Sequence, residues 1–120
     1  MVKIVIPVFD ILGERLSSHF GRAPYFAWFD VQSGRVVDQG VVPNDSSHFG
    51  GIGNPPERIA RLEPNVVITK GMGMRAIQIF LGMGVAVLQG KGKTTAENIT
   101  LFIEENLTEL TEGCLHSLSH

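Results

Sequence analysis

From Val66 onward the chain alternates short β-branched runs with stretches of helical spacing, and that alternation leaves few folds open. Val66-Val67-Ile68-Thr69 reads as a short buried strand. Ala76, Ile77, Phe80 and Leu81 then recur at helical spacing until Gly82 and Gly84 end the helix, and Val85-Ala86-Val87-Leu88 reads as the last strand. Thr94-Thr95-Ala96-Glu97 has capping-box spacing, in which the Thr94 hydroxyl and the Glu97 carboxylate satisfy end amides reciprocally. Ile99, Phe102, Ile103 and Leu110 line one face of a final helix. Such a β-α-β-α run favours parallel strands joined by right-handed crossovers.

The first half differs. Val2 to Val8 is rich in β-branched residues, the pattern of a strand covered on both faces. A polar loop from Asp10 to Arg22 follows it. Tyr25–Val31 and Val36–Val42 are strand-like and separated only by Gln32-Ser33-Gly34-Arg35, so they should pair as an antiparallel hairpin. After a Gly- and Asn-rich loop, Asn54-Pro55-Pro56 opens a helix with Asn54 as its cap; Ile59, Ala60 and Leu62 give its apolar side and Pro64 stops it. The expected fold is α/β: a mixed sheet, antiparallel hairpin plus parallel strands, with helices on both faces. One domain over residues 1–112 and a flexible tail over 113–120 complete the expectation.

Composition narrows the function classes. With 120 residues and 43% hydrophobic content the chain can bury a core without disulfide staples, and its one cysteine, Cys114, permits none within the chain. A four-cysteine structural zinc site is excluded for the same reason. Net charge is −2 with no basic cluster in sequence, which argues against electrostatically driven nucleic-acid binding. No stretch approaches a membrane span, and the apolar start leads into Phe9-Asp10 rather than a cleavage site, so a cytoplasmic protein is expected. Without an export signal, the glycosylation patterns at Asn44, Asn98 and Asn106 are read as chance.

In open α/β sheets ligands gather at the carboxyl ends of strands. Three glycine-bearing segments belong there by this order: His19-Phe20-Gly21-Arg22, Gly50-Gly51-Ile52-Gly53 and Gly71-Met72-Gly73-Met74-Arg75. The helix after Gly73 would point its amide end into that crevice, which favours an anion. The last segment is not a Walker loop, and Ala76 stands where a dinucleotide fingerprint has its third glycine. No G-x-S-x-G elbow occurs, and Asp10, Asp30, Asp38 and Asp45 read as strand-end and turn residues, so no enzyme is expected. For metal ligation the candidates are His19 and the tail residues Cys114 and His116, with His120 the weakest; a thiolate with imidazoles suits iron–sulfur, zinc or copper.

Ser18-His19-Phe20-Gly21-Arg22-Ala23-Pro24-Tyr25-Phe26, followed by Val66–Ala76 with its Gly71-Met72-Gly73-Met74-Arg75-Ala76 string, resembles the dinitrogenase iron-molybdenum cofactor biosynthesis family. That family includes NifX- and NafY-like proteins and the carboxyl-terminal domain of NifB-like proteins. The resemblance runs to about Glu112. It implies an RNase H-like three-layer fold with a five-stranded mixed sheet, and a non-catalytic carrier of an iron–sulfur or iron–molybdenum type cluster or its precursor. Cluster donor and acceptor proteins are the partners it implies, with no nucleic acid and no membrane. Carried over by position, His19 is the leading ligand, and Gly21, Arg22, Gly71, Gly73 and Arg75 would line the crevice. Ile52 departs from the family's glycine loop, where a polar residue is common. Nuclease activity does not follow from the fold, because the first strand carries no acid. The alternative is a metal-free module binding an anionic small molecule or a protein partner at the same crevice. A monomer and a homodimer sharing one cluster between single cysteines are both compatible with the sequence.

Overall fold

The computed structural model describes residues 1–44 and 55–110. Strand β1 (Val2–Val8) lies at the centre of a five-stranded sheet. On one side it pairs antiparallel with β2 (Tyr25–Gln32), in a register running from Val2 opposite Val31 to Val8 opposite Tyr25. Strand β3 (Arg35–Pro43) pairs antiparallel with β2. On the other side β4 (Val66–Thr69) runs parallel to β1, and β5 (Ala86–Gln89) parallel to β4. The order is therefore β3-β2-β1-β4-β5. This is the mixed α/β sheet expected from the sequence.

The hairpin turn is the two residues Ser33 and Gly34, at φ 55° and 75°. Two successive positive φ values give the twist that lets two right-twisted strands pair without splaying.

Side chains of β1 alternate between two apolar layers, which is why this strand is apolar on both faces. Val5, Phe26, Val67 and Val87 face α1 (Pro55–Ala60) and α2 (Met74–Gly82), packing against Ile59, Ile77 and Phe80. Ile4, Ile6, Val8, Phe29 and Ile68 face the other way, toward Ile99 of α3 (Thr95–Ile103). Three layers result, with two helices on one face and one on the other.

Several boundaries depart from the sequence reading. Leu81 is 56% exposed, because α2 turns only Ile77 and Phe80 into the core. Val85 lies outside β5; it is buried, and its amide donates to the Phe80 carbonyl at 2.9 Å. The final helix stops at Ile103. Glu105, at φ 61°, and Asn106 donate back to Phe102 and Leu101, a pair of bonds that closes a helix end. Leu110 is thus beyond the helix: its amide donates to the Val87 carbonyl at 2.9 Å, and its side chain packs on the α1–α2 side. Thr94 caps α3 as expected, accepting from the Glu97 amide at 3.2 Å. The Glu97 carboxylate accepts a hydrogen bond from the Thr94 hydroxyl at 2.9 Å, in place of the reciprocal amide bond expected.

Candidate functional site

Chain direction locates the site. The connection leaving β1 leads toward β2 and β3, whereas the one leaving β4 leads through α2 to β5. The carboxyl ends of the adjacent parallel strands β1 and β4 therefore flank the point where chain connections diverge, the usual ligand crevice of an open sheet. The β1–β2 loop carries His19 and the β4–α2 loop carries Gly71 and Gly73.

The β1–β2 loop is folded tightly before it reaches the histidine. The Asp10 carboxylate accepts from the amides of Glu14 and Arg15 at 2.9–3.2 Å, which spends it on the turn. Phe9 donates to Arg15 and Ser17 to Pro7, both through the backbone, so the loop doubles back along the end of β1. Next, the Ser17 hydroxyl donates to the His19 carbonyl at 3.0 Å and accepts from the His19 amide at 3.2 Å. Phe20 is buried and meets Phe26 in a stacked pair and Phe80 of α2 edge-on, with centroids 6.5 and 5.8 Å apart. Neighbouring His19, Gly21 and Arg22 are left exposed. One apolar anchor inside a polar loop thus fixes three exposed residues beside α2.

The other wall comes from the β4–α2 loop. The Thr69 hydroxyl donates to the Gly71 carbonyl at 3.1 Å, and Met72 turns its side chain into the core. Gly73 caps α2 with no side-chain bond to the helix, so first-turn amides of α2 carry no side-chain acceptor from their own cap. Its φ of −64° is open to any residue, and a Cβ added there would meet nothing within 4 Å. Neither backbone conformation nor packing requires glycine at position 73.

Between these walls lies an open crevice of about 480 Å³, lined by His19, Phe20, Gly21, Arg22, Gly71 and Gly73 among others. Five of the residues expected to share a crevice come together here. Arg75 does not line it. It is exposed on α2, two positions from Ile77 and so turned away from the buried face. Among the described residues no group of three or more His, Cys, Asp or Glu is placed to hold a metal ion. Cys114, His116, His120, His48 and the Gly50–Gly53 loop lie outside the described residues, as does Asn54. Sequence reasoning assigned Ser17, Phe20 and Thr69 no part in shaping the crevice. Their only signal was a small hydroxyl or an apolar residue inside a glycine-rich polar loop.

Comparison with known proteins bears on the same span. The profile described as dinitrogenase iron-molybdenum cofactor matches residues 1–105. The uncharacterized protein MJ0580 of Methanocaldococcus jannaschii is 28% identical over 109 residues, covering 89% of this chain and 90% of its own. The crystal structure of PH0822 is 31% identical, covers 89% of this chain and 93% of its own, and superposes with a TM-score of 0.76. The Thermotoga protein TM1290, solved by NMR, is 31% identical with coverage of 92% and 95% and a TM-score of 0.68. The match spans every strand and helix and both walls of the crevice: the chain belongs to the dinitrogenase iron-molybdenum cofactor family.

Proposed function

We propose that this protein is a non-catalytic cytoplasmic carrier that binds a metal–sulfur cluster of the iron–sulfur or iron–molybdenum type, or its precursor, as cargo. The observation that carries the reading is Gly73. It borders the crevice, it caps a helix pointing amides toward it, and its missing side chain serves no need of the fold. Space kept clear at a helix amino end suits an anionic guest. His19 offers an imidazole to that guest, and Arg22 a guanidinium. The family assignment supports a cofactor-related role.

A preassembled cluster brings most of its own ligands, and few protein bonds allow it to be handed on to an acceptor protein. Cys114 and His116 are the further ligands we assign to the reading.

The test is anaerobic binding of iron and sulfide, and separately of a preassembled cluster, followed by absorption spectroscopy and metal analysis per chain. Charge-transfer absorption that falls in His19→Ala, and further in Cys114→Ser, is the expected result. Gel filtration of the loaded protein then separates a monomer from a dimer sharing one cluster. A wild-type protein that retains neither form of cluster would sink the carrier reading. The crevice would then belong to a metal-free anionic ligand or a protein partner.

A further inference from the structure

A second depression lies beside the crevice and has a different chemistry. It measures about 230 Å³ and is lined by Phe9, Arg15, Leu16, Ser18, Lys70, Gly92 and Lys93, sharing only Ser18 with the histidine crevice. Its cations come from three separate segments. Arg15 lies on the β1–β2 loop, Lys70 directly follows β4, and Lys93 lies between β5 and α3. The three neighbouring parallel strands β1, β4 and β5 therefore each send one cation to a single concavity at their carboxyl ends.

We propose that this pocket binds a compact multivalent oxyanion: phosphate, a phosphate ester or a small polycarboxylate. The backbone that carries the cations is fixed in advance. The Leu16 amide donates to the Lys93 carbonyl and the Thr95 amide to the Glu14 carbonyl, both at 2.9 Å, which ties the first loop to the third. Asn98, fully buried, bonds the Lys91 amide and carbonyl at 2.8 and 2.6 Å and so braces the segment leading to Lys93. Among the described residues no carboxylate lines the pocket. Of the acids nearest in sequence, Asp10 holds loop amides and Glu14 lines a separate groove against α3, while the Glu97 carboxylate, bonded to the Thr94 hydroxyl, lies against Gly92 at the pocket's edge.

Three cations around one concavity repel one another, and a multivalent anion relieves that repulsion while gaining attraction from all three. Arg15 can grip two oxygens in parallel, whereas the lysines act as point charges. The pocket is smaller than most sites for drug-sized ligands, and its size selects a compact anion over a peptide or a nucleic acid strand. The proposal does not rest on the cluster reading, because His19 lies outside this pocket.

The experiment is titration of the full-length protein at low ionic strength with inorganic phosphate and, separately, with citrate, followed by amide correlation NMR. Chloride at matched ionic strength is the control. The expected result is saturable shifts at Arg15, Ser18, Lys70, Gly92 and Lys93 with at least one of the two probes. Whichever probe binds more tightly distinguishes phosphate from polycarboxylate chemistry. Affinity should fall about tenfold in Lys70→Gln and again in Lys93→Gln, the loss expected for one charge-assisted bond. His19→Ala should leave it unchanged, even where it abolishes cluster retention. Shifts that do not saturate, that chloride reproduces, or that survive the double substitution in a protein with native spectral dispersion would overturn the proposal.

Discussion

The Ser17 hydroxyl holds both backbone polar groups of His19, donating to its carbonyl at 3.0 Å and accepting from its amide at 3.2 Å. One small side chain thereby fixes the turn that presents the imidazole, while the imidazole itself stays exposed. The histidine's backbone is set before any ligand arrives, which lowers the ordering cost of binding.

Replacing Ser17 by Ala should therefore loosen the histidine turn without unfolding the protein. Ser17 is nearly buried, so its loss should cost about 1–2 kcal/mol in chemical denaturation, the scale of one or two partly buried hydrogen bonds. Amide exchange at His19 should accelerate, and cluster retention should fall. Unchanged exchange at His19 would show that the turn holds without the hydroxyl.

Gly73 separates folding from binding. Its φ of −64° and ψ of 152° are those of an ordinary helix cap, and a side chain there meets open space. Gly73→Ser supplies the missing capping oxygen, so stability should be unchanged or rise by a few tenths of a kcal/mol. The same hydroxymethyl group occupies the crevice and competes for the amides, so cargo binding should weaken. A variant as stable as the wild type that binds equally well would argue against the α2 amino end as a cargo contact.

The sheet offers a spectroscopic handle at its hairpin. Trp28 pairs across β2 and β3 with Gly40, and a Cβ on Gly40 would fall 2.6–2.7 Å from three atoms of the indole. The Lys3 ammonium sits 4.9 Å from the ring centroid. Gly40→Ala should displace the indole and cost about 1–3 kcal/mol, as overpacking does. Because Trp28 is the only tryptophan, its emission should shift to the red. Unshifted emission would mean that the strand moved instead of the ring.

Asn98 is fully buried, with its amide nitrogen donating to the carbonyls of Lys91 and Thr94 at 2.6 and 2.8 Å. Asn98→Asp puts an acceptor where two carbonyls need a donor, and should cost roughly 2–4 kcal/mol by leaving buried groups unpaired. Asn98→Ala should cost less. A midpoint shift in urea with unchanged slope checks both.

The sequence by itself determined the order of elements and the layering. β-branched runs with alternating or continuous apolar character mark strands whose two faces need cover, as Val2–Val8 shows, and local spacing marked α2 and α3. The β2–β3 hairpin was legible because so short a connection admits almost no other pairing, although the sequence reading assigned the turn four residues, Gln32 to Arg35, where the structure leaves two, Ser33 and Gly34. Helix ends were less legible. Leu110 has helical spacing from Ile103, yet the bonds that Glu105 and Asn106 make back to α3 send it to the edge of β5. Only the tertiary structure decided which residues share a wall. The strand order places the ends of β1 and β4 side by side, so His19 and Gly73, fifty-four positions apart, border one crevice while nearby Arg75 faces away. The cation pocket was invisible in the chain for the same reason. Arg15, Lys70 and Lys93 form no run in sequence, and they meet only because three parallel strands end at one level of the sheet.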